Sequence, residues 1–208
     1  MLTVTRSFES VAALAACAFG LQAAVPTGWV LAGAKPQEYD CSVDPAASYN
    51  GQPSTYLKSK EGVKTTGFGT MLQDFSAAPY VGKRIRFSAN LKSEGVESWG
   101  ALWMRVDDAN HPKNGHPSAV AFDNMHDGTR DRSIKGTTGW QNYSVVLDVP
   151  EGATSIYIGF LLDGAGALWL NGVKLEVVGP EVAVTGRPMN QPGSQELHSG
   201  PTNLGFEK

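Results

Sequence analysis

Eight polar or aromatic side chains have the types and the alternating spacing of a recognition surface: Gln73, Arg86, Ser88, Asn90, Trp103, Arg105, Asp107 and Asp123. A sugar ring stacks its apolar face on an indole, while carboxylate, amide and guanidinium groups bridge its neighbouring hydroxyls. This set supplies all of those groups, so it fits a glycan or another small polyhydroxylated ligand. An alternative assigns the same residues a structural task. Arg86, Arg105 and Asp107 would then form a cross-strand ion-pair network covering Trp103, worth little energetically if exposed.

A second cluster runs from Phe122 to Arg132 (FDNMHDGTRDR). Asp123, Asp127 and Asp131 recur at intervals of four, with Asn124 beside the first, and oxygen donors of this kind can hold a structural calcium ion. Arg130 and Arg132 oppose that reading, because they neutralise the charge a dication needs. Pairing among these charges is the simpler expectation, and no cofactor is expected.

Catalysis finds less support. Asp107 and Asp123 could face each other on neighbouring strands as the two acids of a glycosidase. Their arginine neighbours would keep both ionised, leaving no general acid with a raised pKa. His111, His116, His126 and His198 show no metal-ligand spacing, and no Gly-x-Ser-x-Gly elbow or phosphate-cradling loop occurs.

The elements that must position these residues are short runs of β-branched and aromatic residues, broken at Asn50-Gly51, Glu61-Gly62, Val81-Gly82, Glu94-Gly95 and Glu151-Gly152. Strands are expected at 28–33, 38–43, 54–59, 65–75, 83–92, 99–107, 118–124, 140–149, 154–162 and 167–177. That number of strands implies an all-β chain folded as an antiparallel β-sandwich or jelly roll. Alternation turns Ile85, Phe87, Ala89 and Leu91 inward, with Leu102, Met104 and Val106, and with Ile156, Ile158, Phe160 and Leu162. Arg86, Ser88 and Asn90 then point outward, as do Trp103, Arg105 and Asp107. An indole that shares an outward face with two charged residues is a candidate platform.

Composition agrees with one domain rich in turns: 208 residues, 24 Gly, 12 Pro and a net charge of -3. With no basic stripe, nucleic acid is not an expected partner. Residues 1–24, with Arg6 ahead of the apolar run from Val11 to Leu21, read as a signal peptide, and hence as a sign of export to the periplasm or beyond. Plain cleavage near Ala23 or Ala24 competes with lipidation of Cys17 in LAAC, which would anchor the protein to a membrane. Residues 25–178 form the expected sandwich. The tail 179–208, rich in Pro, Gly, Ser and Asn, reads as a linker or a loosely docked extension.

The pieces FGTMLQDFSAAPYVGKRIRFSANLKSEGV, WGALWMRVDD, AFDNM, IKGTTGWQNYSVVLDVPEGATSIYIGFLLDGAG and LWLNGVKLEVV carry a resemblance over about half the chain. Together they resemble the galactose-binding-like jelly-roll modules, akin to carbohydrate-binding modules, found alone or attached to bacterial peptidases, esterase-like proteins and transcriptional regulators. The resemblance implies a sandwich with a binding role and singles out Gln73, Trp103, Arg105, Asp123, Asn124 and Trp140. Asn171 departs from the pattern, standing where related modules often carry Asp, which weakens an inherited calcium site. The alternatives to a non-catalytic glycan-binding module are a structural or protein-interaction domain and a glycosidase-like enzyme.

Overall fold

A computed structural model describes residues 25–113, 116–126 and 130–188. The expected signal peptide, Cys17, Asp127, His198 and the far end of the tail lie outside the described residues.

Ten strands run in chain order: β1 (Val30–Gly33), β2 (Tyr39–Tyr49), β3 (Gln52–Ser59), β4 (Phe68–Ser76), β5 (Arg84–Lys113), β6 (His116–Asp123), β7 (Ile134–Asp148), β8 (Ser155–Asp163), β9 (Ala167–Val178) and β10 (Arg187–Pro188). All pairings are antiparallel. The strands expected at 83–92 and 99–107 are two parts of β5, a single strand of 30 residues. Its first part pairs with β7 and β9, and its second part pairs with β8 and β6. One strand therefore belongs to both layers of the sandwich.

The first layer is ordered β1, β4, β8, second part of β5, β6, β10, and the second is β2, β3, β9, first part of β5, β7. Register irregularities between Leu91 and Gly100, with Gly95 at φ 58, let β5 turn from one layer into the other. Among the described residues no helix is long and apolar enough to cross a membrane.

The core lies between the layers and has the composition that alternation assigns. Ile85, Phe87, Ala89 and Leu91 of one layer meet Leu102, Met104, Val106, Ile156, Phe160 and Leu162 of the other, all without solvent exposure. Tyr39 is the largest polar member. Its hydroxyl donates to the carbonyl of Gly67 at 2.5 Å and lies 3.1 Å from that of Gly164. Burial, reinforced by Asp163 and Glu38, pushes its pKa up to about 12.

Two local features matter for the faces. The β2–β3 hairpin turns at Asn50 and Gly51, both at positive φ, which is the backbone a tight type I′ hairpin requires. The start of the tail is docked where a loose extension was expected. Thr185 donates its backbone N–H to Val146 of β7, and Arg187 pairs with Phe122 of β6, so residues 185–188 bridge the edges of the two layers.

Candidate functional site

The side chains expected to form one surface fall on different sides of the sandwich. Arg86, Ser88 and Asn90 lie on the outer face of the second layer, since they alternate with the buried Ile85, Phe87, Ala89 and Leu91. Trp103, Arg105 and Asp107 lie on the outer face of the first layer, with the whole core in between. Gln73 pairs with Ile158 and Asp123 pairs with Met104, so the register puts both on the inward side of the first layer. The expected pair of acids is likewise divided, with Asp107 outward and Asp123 inward.

On the first layer, Trp103 is not an open platform. Only 8% of it is exposed, and its Nε1 donates to Thr70 Oγ1 at 2.8 Å. It pairs with Gly159, where an added Cβ would stand 2.8 Å from the indole nitrogen. The glycine lets the ring lie down on the sheet. Beside it the Arg105 guanidinium reaches Asp107 through Nε at 2.5 Å and Nη2 at 2.8 Å, and Arg105 also lies over the Tyr157 ring. The structural alternative describes this face: an ion pair beside a buried indole.

Asp123 is also committed. It accepts from Arg132 Nη2, Thr185 Oγ1 and the backbone N–H of Met125, which fastens both the β6–β7 connection and the tail to the end of β6. Asn124 accepts from the His126 N–H in a local turn, and His126 stacks on Trp99 at 4.3 Å. Asp131 is held well below the usual carboxylate range, first by the Ser133 hydroxyl and then by Lys135. The acidic loop thus pairs its described charges internally, and no group of three metal-binding side chains occurs among the described residues.

The outer face of the second layer is built differently. Ser88 faces Lys174 on β9 and Ser144 on β7, and Asn90 faces Asn171 and Asn142 in the same way. Arg86 pairs with Glu176 at 2.9 Å. These side chains line a groove of about 270 Å³, in which Arg86, Ser88, Asn90, Asn142, Ser144, Lys174 and Glu176 supply nearly every kind of hydrogen-bonding group.

Aromatic rings stand at one end of the groove. Trp169 pairs with Lys92 on β5 and with Tyr56 on β3. Its Nε1 donates to Asp44 Oδ2 at 2.9 Å, which fixes the ring and holds that carboxyl below its ordinary pKa, while Lys92 Nζ lies 4.9 Å from its centroid. Trp140, two residues before Asn142, meets Tyr49 with ring centroids 5.2 Å apart. Tyr49 sits at the β2–β3 turn, so the hairpin tip reaches across to β7 and walls that end. Asn171 secures the hairpin by donating from Nδ2 to the carbonyls of Gln52 and Pro53. A carboxylate there could not donate, so Asn171 makes directly a contact for which Asp would need an intervening cation.

Of the residues expected from sequence, Arg86, Asn90 and the resemblance-derived Trp140 are brought together here. Sequence reasoning missed Tyr49, Lys92, Asn142, Trp169, Lys174 and Glu176 as members of one surface. The signal was present: Trp140, Asn142 and Ser144 alternate with Tyr143, Val145 and Leu147, and Trp169 and Asn171 alternate with Leu168 and Leu170.

No family model matches the chain. Over 181 residues it is 40% identical to the uncharacterized HTH-type transcriptional regulator YbfP of Bacillus subtilis (strain 168), an alignment that covers 87% of this chain and 57% of that protein. Among solved structures, it resembles the enzymatically active domain of bacteriophage CBA120 tailspike protein 4, with a TM-score of 0.51 and 13% identity over 73% of this chain and 20% of the other. It also resembles the CBM22-1 and GH10 modules of the Clostridium thermocellum xylanase Xyn10B, with a TM-score of 0.51 and 14% identity over 73% of this chain and 26% of that one. The fold is the β-sandwich jelly roll of carbohydrate-binding modules. The chain spans little more than half of the regulator and about a quarter or less of either solved structure.

Proposed function

We propose that the chain is a non-catalytic glycan-binding module whose ligand lies along the groove on the outer face of the second layer. The observation that carries this reading is the groove itself, where amide, hydroxyl and charged groups converge beside Trp140 and Trp169. Sugar recognition needs that combination, with rings to cover the apolar face and planar polar groups to bridge hydroxyls. The xylanase to which the fold is similar was solved with xylohexaose, which supports the ligand class.

Affinity electrophoresis through gels carrying different polysaccharides tests the proposal. The protein is expected to be retarded in at least one gel, with retardation lost in Trp140→Ala and Asn142→Ala at unchanged melting temperature. Retardation that survives both substitutions would remove the groove from the account.

Export accompanies this reading, with residues 1–24 as its signal, and immunoblotting of cell fractions tests it. The likeness to a transcriptional regulator favours a second reading, in which the same groove senses a ligand for a larger regulatory protein. A cytoplasmic protein longer than this chain on the same blot would select the second.

A further inference from the structure

The charges of the groove are unbalanced in a way that narrows its ligand. Every charged side chain on the outer face around it can be named. Arg84 is paired with Asp148, and Arg86 with Glu176. Asp44 receives the Trp169 indole N–H, while Lys58 lies over the Tyr56 ring on β3. Two cations remain. Lys174 is exposed beside Ser88, and Lys92 rests against Trp169 with no carboxylate partner among the described residues.

Within the groove and its aromatic end, Arg86, Lys92 and Lys174 therefore stand against one acid, Glu176. The whole chain has the opposite sign, with a net charge of -3. A local cationic strip on an acidic protein draws an anionic ligand to that strip rather than to the surface at large. Lys92 and Lys174 also lie at opposite ends of the Asn90 row, four residues apart along the strand direction, or roughly 13 Å. That separation lets the two ammonium groups meet charges on different units of one chain, while Asn90 and Asn142 address the hydroxyls between them.

We infer that the groove selects anionic glycans, whose repeating sugars bear a carboxylate or a sulfate ester, over neutral ones. This rests on the groove being the glycan site. Lys92 sets the preference at the aromatic end and Lys174 at the other.

Affinity electrophoresis in four gels separates the outcomes: polygalacturonate, its fully methyl-esterified form, dextran sulfate and neutral xylan. The esterified polymer keeps the sugar and removes the charge. Polygalacturonate or dextran sulfate should retard the protein more than the two uncharged polymers, and whichever does so identifies the anion. Lys92→Gln and Lys174→Gln should each weaken that retention by up to about fivefold, the upper end for a solvent-exposed ion pair, and added salt should weaken it further. Lys174 has no neighbour that its replacement would unsettle, so its variant reads charge alone even if Lys92→Gln disturbs Trp169. Retention by xylan or the esterified polymer that needs Trp140 but neither lysine would overturn the anionic preference and leave the groove standing. No retention in any gel would overturn both.

Discussion

The two outer faces of this sandwich carry similar residue types and do opposite things with them. On the first layer Thr70, Trp103, Leu161 and Asp107 are buried although they point away from the core, and the polar groups satisfy one another: the indole meets a threonine and the guanidinium meets an aspartate. On the second layer Asn142 and Lys174 are exposed, and Arg86, Asn90 and Lys92 are half-buried around a groove. An aromatic ring beside charged residues is therefore no sign of a site by itself. What distinguishes a site is polar groups left for a ligand to complete.

Substitutions sharpen that contrast, beginning where the effect is largest. Trp103→Ala should destabilise the protein by about 3–5 kcal/mol in denaturant unfolding, because it opens a cavity above Gly159 and strands Thr70. A loss below ~1 kcal/mol would return Trp103 to the list of open platforms. Asp123→Asn removes the charge that Arg132 and Thr185 share, and should cost about 2 kcal/mol while loosening the tail, read as faster amide exchange at Thr185.

Tyr39→Phe tests the core rather than either face. The folded-state pKa of Tyr39 is raised to about 12 from 10, so the unfolded chain gives up its proton first, and stability contributed by the neutral phenol is lost as pH climbs from 10 to 12. The variant should be less stable by about 1 kcal/mol at neutral pH and should show a shallower decline over that alkaline range. An unchanged slope would mean that Tyr39 is not the group responsible. Smallest of all, Arg86→Gln should alter stability by less than ~1 kcal/mol, since its partner Glu176 is an exposed one.

Much of the fold could be read from alternation, and the reason is physical. Inward residues such as Ile85, Phe87, Leu102 and Met104 occupy every second position because a strand offers its two faces in turn. Alternation says nothing, however, about which layer a strand segment joins. Arg86 and Trp103 both read as outward, and both are, but β5 carries them to opposite sides of the core. Only the irregular stretch between Leu91 and Gly100 hinted at the crossing. Asp123 misled for another reason: its place depends on its register with Met104 and on a tail residue 62 positions away, Thr185, neither of which a local pattern encodes.

The five tryptophans allow the most direct test of where a ligand sits. Trp29, Trp99, Trp103, Trp140 and Trp169 each give one indole N–H signal in a two-dimensional NMR spectrum. Titrating in galacturonan and xylan oligosaccharides should move the Trp140 and Trp169 signals and leave Trp103, on the far side of the core, where it was. Movement of Trp103 with Trp140 and Trp169 unmoved would contradict the assignment of the ligand to the second layer.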